Sequence, residues 1–187
     1  PQESSNRCMA ELGTLHELLN GYSNIQRRSL ILNRGEFLIR QGEVESHIYY
    51  IHSGAIHAFY VSDHEEHTIR FGYKGSLITS IPSFYNGQPS ELFLQAIRKT
   101  EITAYSRQSF FKAIETSAEL RSFYLTSLEQ LAAQQMEREL DLLTSSPHER
   151  IQRVLKRSPQ VFQEIPAKYI ASYLRMTPET LSRILNS

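Results

Sequence analysis

Near the end of the 187-residue chain, Thr177, Glu179, Thr180, Ser182 and Arg183 fall within seven positions. An arginine fork matches the edge of a guanine, and a glutamate accepts from the amino group of a cytosine. The hydroxyls of Thr177, Thr180 and Ser182 suit phosphate oxygens. These groups act together only if one rod carries them. Thr177 is a favourable helix cap, Pro178 fits the first helical position, and Glu179 favours the positive end of a helix. Leu181, Ile184 and Leu185 would form the buried side, leaving Glu179, Thr180, Ser182 and Arg183 outward. Just before this rod, PAKYIASYL from Pro166 reads as another helix with Tyr169, Ile170, Tyr173 and Leu174 on one face, and Arg175-Met176 leaves room only for a tight turn. Two short helices so joined make a helix-turn-helix, whose second member enters a major groove. The alternative for the same pattern is a helical hairpin with solvated outer charges.

The charge distribution agrees with a polyanion partner. The 20 Lys/Arg and 20 Asp/Glu cancel overall, but residues 147–187 hold seven cations and three anions, a net of +4, against −4 for the rest. Lys168 adds a cation near the rod. Arg150, Arg153 and Arg157 on the first tail helix either touch a nucleic-acid backbone or face solvent. Upstream, the periodicity is that of strands. Segments 29–32, 36–39, 47–52, 55–61, 67–73, 92–97 and 101–106 are rich in Ile, Tyr, Phe and Val and are cut by turns at Arg34-Gly35, Gln41-Gly42, Ser53-Gly54 and Asp63–Glu66. Such spacing predicts an antiparallel sandwich or barrel. Residues 11–19 and 107–114 read as short helices. From Glu119 to about Ser145 there is no Gly or Pro, and Leu125, Leu128, Ala132, Met136, Leu140 and Leu143 recur at helical steps. A helix this long on so small a body is expected to overhang and pair with a second copy. Thr144–Pro147 ends it.

Other chemistries find little support. A single cysteine, Cys8, excludes a disulfide framework and an all-cysteine cluster, and fits a reducing compartment. His64-Glu65-Glu66-His67 sits at an expected hairpin tip, where charges are solvated, and His52 and His57 flank a turn where they could face each other. A jelly-roll metalloenzyme would need more inward ligands than this. No glycine-rich phosphate loop, nucleophile constellation or membrane-length apolar run is found. The expectation is a cytoplasmic non-enzyme without cofactor or membrane partner.

From about Leu12 onward the chain resembles the catabolite-activator/Fnr (Crp/Fnr) family of bacterial transcription regulators. The matching pieces are Arg34-Gly35-Glu36, Arg40-Gln41-Gly42-Glu43, Tyr49–Gly54, Gly75–Ile78 and IPAKYIASYLRMTPETLSRIL over 165–185. The resemblance implies an α+β fold: an antiparallel β jelly roll of the cyclic-nucleotide-binding kind, a long dimerisation helix and a C-terminal helix-turn-helix domain. The expected bounds are 1–118, 119–145 and 146–187. It puts Glu179 and Arg183 at base-reading positions, with Pro178 where an arginine often stands. Arg175 replaces the turn glycine and must take a left-handed conformation. The chain stops at Ser187, so the expected domain lacks a full wing. The implied partners are double-stranded DNA and a second copy of the chain.

The resemblance also implies an effector pocket. The family holds a cyclic nucleotide with a glutamate for the ribose and an arginine for the phosphate. The positions corresponding to these are Ser80 and Ser90, and Glu91 follows. Losing a charge-assisted pair costs about 1.5–3 kcal/mol, and a facing carboxylate adds to it. Cyclic AMP is therefore not expected to bind. The pocket either holds a neutral or cationic effector, lined by Ser80, Ser83, Tyr85, Ser90 and Glu91, or is filled by Phe84, Tyr85 and Phe93. The expected function is a homodimeric, sequence-specific DNA-binding regulator; the alternative is a sensory or interaction module of the same fold that no longer binds DNA.

Overall fold

A computed structural model describes residues 14–186. Cys8 and the beginning of the helix expected over 11–19 lie outside the described residues. The chain divides into two compact units, whose described parts are 14–127 and 128–186.

In the first unit, helix α1 (14–21) precedes eight strands. They are β1 (Arg27–Leu32), β2 (Phe37–Ile39), β3 (His47–Ser53), β4 (Ala55–Ser62), β5 (Glu65–Tyr73), β6 (Leu77–Ile78), β7 (Phe93–Ala96) and β8 (Thr100–Ser106). Helix α2 (Ile81–Asn86) lies between β6 and β7, and α3 (Arg107–Thr116) follows β8. The strands form two antiparallel four-stranded sheets, β1-β8-β3-β6 and β2-β7-β4-β5. This is the antiparallel double-sheet roll that the strand spacing implied. The two-residue β6 was missed, because Leu77-Ile78 is too short to show a period. The hairpin tip is also shorter than expected: only Asp63 and His64 turn, both with positive φ (52° and 65°), and Glu65 and Glu66 already pair in β5. Positive φ at both central residues matches the hairpin to the twist of its strands. His52 and His57 do not meet. They lie on different sheets, His52 bonded to Thr103 Oγ1 (2.7 Å) and His57 to Gln95 Oε1 (3.1 Å).

β3 shows why its sequence is almost continuously apolar. Tyr49 and Ile51 point between the sheets, into a core with Leu32, Ile56, Leu94 and Ile102. Ile48 points the other way, into a second core built with Leu15, Leu19, Phe84, Tyr105 and Phe110. Helices thus cover the outer side of this sheet, and both faces of β3 must be apolar. Gly54, with φ 90°, permits the β3–β4 turn to press on the neighbouring turn; a Cβ there would stand 2.4 Å from the carbonyl oxygen of Lys99.

His16 fastens α1 to this outer face. Its ring stacks on Tyr50 at 3.7 Å, with His52 edge-on at 5.1 Å. Tyr105 donates to Asn20 Oδ1 (2.9 Å), so His16 Nδ1 donates to the Tyr105 oxygen (2.7 Å) and His16 Nε2 accepts from Asn20 Nδ2 (2.9 Å). This closed ring of bonds requires a neutral imidazole. Burial, then the neighbouring His52 and Arg27, lower the His16 pKa from 6.5 to about 4. The unfolded chain therefore takes up a proton that the folded chain refuses. Stability is complete above pH 6.5 and falls as the pH drops toward 4, by at most about 3 kcal/mol. Urea midpoints measured across that range should show the fall, and His16→Gln should flatten it.

Helix α4 (Ala118–Leu143) runs from the first unit into the second. The second unit continues with α5 (Pro147–Arg157), α6 (Pro159–Glu164), α7 (Ala167–Tyr173) and α8 (Pro178–Leu185). α6 was not foreseen: Ser158-Pro159 reads as a break, yet proline starts the next short helix. Val161 of α6 is buried, as are Ile151, Val154, Ile170, Leu174 and Leu181. Leu185, expected on the buried side, is 45% exposed. Residues 178–185 give little more than two turns, and Leu181 and Ile184 already occupy the inner stripe.

Candidate functional sites

The α7–α8 pair is held rigidly. α7 ends in a double cap in which Arg175 N–H donates to Ser172 O (3.2 Å) and Met176 N–H to Ala171 O (3.0 Å). Such a cap needs a left-handed residue, and Arg175 takes φ 55°, as its replacement of glycine required. The Thr177 side chain accepts from the Thr180 amide (3.2 Å) and so caps α8, with Pro178 in its first turn. Leu181 is fully buried, while Thr177, Glu179, Ser182 and Arg183 are exposed and Thr180 is half-buried. The Glu179 backbone amide and the Thr177 hydroxyl hold the Glu179 carboxyl below the usual carboxylate range, so it stays ionised. Lys168 is exposed on α7, its Nζ 4.5 Å from the centre of the Tyr169 ring.

The arginines of α5 face inward. Arg153 Nε donates to Asp141 Oδ1 (2.8 Å) and Arg153 Nη2 to Glu137 Oε2 (3.1 Å). Arg157 reaches both oxygens of Asp141 and also Glu137. Arg150 donates to the carbonyls of Thr144 and Leu174. The sequence offered solvent or a nucleic-acid backbone for these three cations. They instead tie α5 to the end of α4 and to the α7 cap.

In the first unit, Ser80, Ser83 and Ser90 converge and are buried. Ser80 Oγ lies 2.7 Å from Ser90 Oγ. Ser90 Oγ also meets both the carbonyl and the amide of Leu92 (2.8 and 3.0 Å). Ser83 accepts from the Glu45 amide (2.8 Å) and donates to Gln88 O. Tyr85 bonds elsewhere: its hydroxyl accepts from Tyr124 of α4 (2.7 Å). Glu91 is on the surface. Phe84 is fully buried in the helix-covered core, whereas Phe93 stacks on Phe59 at 5.1 Å on the other sheet. Sequence reasoning missed Glu45, which is only 2% exposed. Its carboxylate accepts from the His47 amide and the Tyr49 hydroxyl (3.0 Å each), and burial raises its pKa against the pull of these donors and nearby amides. Nothing in Val44-Glu45-Ser46 distinguishes this glutamate from a surface one.

Among the described residues, no group of three or more His, Cys, Asp or Glu is placed to hold a metal ion. No helix among them is long and apolar enough to cross a membrane.

The two-sheet roll with a short helix between β6 and β7 defines a cyclic-nucleotide-binding fold. Residues 30–117 match the family model of the cyclic nucleotide-binding domain. Solved structures that share the fold include Crp/Fnr regulators, as Arg34–Glu36, Arg40–Glu43 and the other matching segments implied. FixK2 from Bradyrhizobium japonicum is 20% identical, with a TM-score of 0.71 over 86% of this chain and 83% of that one. The c-di-GMP responsive global regulator CLP of Xanthomonas campestris is 15% identical, with a TM-score of 0.65 over 93% and 89%. The catabolite activator protein of Thermus thermophilus is 21% identical, with a TM-score of 0.51 over 100% and 82%. No curated protein matches the chain.

Proposed function

We propose that the protein is a homodimeric, sequence-specific DNA-binding transcription regulator. The observation that carries this reading is α8 itself: a capped helix whose apolar side is anchored by Leu181 and whose exposed side offers Glu179, Ser182 and Arg183. α7 and α8 act as the helix-turn-helix, with α8 in the major groove. Thr177, Thr180 and Lys168 contact the phosphates that set its register. The regulators sharing the fold support the same role. A gel shift on genomic fragments at two salt concentrations tests it. Selective retention of some fragments, weakened by salt, is expected; equal retention of all fragments would refute sequence-specific binding.

The long helix is the dimer seam. Leu125, Met136, Leu140 and Leu143 are 52%, 59%, 48% and 80% exposed, an apolar stripe of a kind seldom left to water. Pairing of two such helices would place two copies of α8 roughly 34–36 Å apart, one turn of duplex. Leu140→Asp should convert the dimer to monomer in sedimentation velocity; an unchanged dimer would move the seam elsewhere.

The pocket does not take cyclic AMP in this reading, since Ser80 and Ser90 supply neither the carboxylate nor the cation that such a ligand needs. A module of the same fold that no longer binds DNA is the second reading. It is favoured by the inward turn of Arg150, Arg153 and Arg157, which removes three of the seven tail cations from any DNA surface.

A further inference from the structure

The helix between β6 and β7 is held from both ends by the chain's own side chains. Ser80 is the residue preceding α2, and its hydroxyl pairs with that of Ser90, at the far end of the loop that follows the helix. Ser90 in turn grips Leu92 at the entrance to β7. Ser83, inside the helix, is strapped to Glu45 and Gln88. The donors and acceptors of Ser83 and Ser90 are matched within the protein, so the loop is closed as it stands.

The outer side of the same helix is tied to the helices beyond. Arg107 Nη2 donates to Tyr85 O (2.9 Å), and Gly87, with φ 69°, leaves space for that guanidinium; a Cβ there would stand 3.1 Å from Nη1. Tyr124 donates to the Tyr85 hydroxyl, and Phe84, Phe110 and Phe111 make edge or tilted contacts around the pair. Two aligned phenols inside an aromatic cluster form a stiff connection, because displacing either leaves a half-buried hydroxyl without its partner.

We propose that the Ser80–Ser90 hydroxyl pair does the work of a bound effector. It locks α2 in place, and the Tyr85–Tyr124 pair passes that position to the first turns of α4. The regulator of the preceding section then needs no small molecule to set its long helix, so the inference deepens that reading and rests on it for its regulatory meaning.

Hydrogen exchange measured by mass spectrometry on the whole chain tests this without DNA, so a failure to bind DNA and a failure of the lock are told apart. Wild-type protein, Ser90→Ala and Tyr124→Phe are compared, with and without cyclic AMP as the probe. Ser90→Ala should raise exchange roughly tenfold both in α2 and over 118–127, while the β4–β5 hairpin stays unchanged. Tyr124→Phe should speed 118–127 in the same way, and it keeps the test available if Ser90→Ala does not fold. Cyclic AMP should leave wild-type exchange as it is. The lock is overturned if Ser90→Ala changes α2 alone or changes nothing, if Tyr124→Phe leaves 118–127 unchanged, or if cyclic AMP slows wild-type exchange over 118–127.

Discussion

Replacing Asp141 by alanine should cost the 128–186 unit about 3 kcal/mol, the lower end of what removing one partner from a buried ion pair costs. Asp141 is 1% exposed, and its carboxylate receives Arg153 and Arg157 at once. Without it, two guanidiniums face each other and, among the described residues, Glu137, itself about half exposed, is left to balance them. The arginine side chains keep 33% and 21% exposure, so water reaches them and the upper end of the range does not apply. For a unit this small, even 1 kcal/mol moves the melting temperature by roughly 4–8 °C, so much of the helical signal should melt early. Asp141→Asn should fall between, since it keeps the volume and one acceptor. Arg153→Gln should cost less than Asp141→Ala, because Arg157 still holds both oxygens. Thermal and urea melts followed by circular dichroism check the order. An Asp141→Ala melt within 1 kcal/mol of wild type, by the same order-of-magnitude scale, would mean solvent screens this cluster.

The same cluster shows where sequence reading stops. Strand and helix types were legible because period and punctuation are local: β3, β4, β5 and β8 carry Tyr, Ile, Phe and Val between turns. The cap of α8 was legible for the same reason, since Thr177 acts on Thr180, three residues away. Arg175 could be assigned a positive φ only because the family resemblance puts a turn glycine at its position. The fate of Arg153 and Arg157 was not legible. Their partner lies 12 to 16 residues earlier on another helix, and an arginine at helical spacing reads alike whether it faces water, DNA or a carboxylate. Glu45 and Tyr124 were invisible for a similar reason. Glu45 is buried and Tyr124 half-buried through contacts with segments near and far in the chain, and neither residue type announces it.

Arg183→Ala should then weaken binding of a selected DNA fragment with little effect on folding, because Arg183 is exposed and no contact of its side chain supports the helix among the described bonds. One bidentate arginine–guanine contact is worth about 1–3 kcal/mol, and a dimer loses two, so the affinity should drop roughly 30- to 20,000-fold. Glu179→Gln tests the neighbouring group with the opposite sign. The Glu179 carboxylate is held ionised and would repel a duplex backbone bound at α8, so removing its charge should tighten binding to unrelated fragments while discrimination falls. Lys168→Gln should weaken all fragments alike and lower the dependence of log K on log salt by about 0.9 per protomer. Arg157→Gln should leave that slope unchanged, since its charge is already spent on Asp141 and Glu137. The four variants therefore separate base reading, phosphate contact and internal ion pairing. Wild-type affinity in Arg183→Ala, together with an altered slope in Arg157→Gln, would place the nucleic-acid surface on α5 instead of α8.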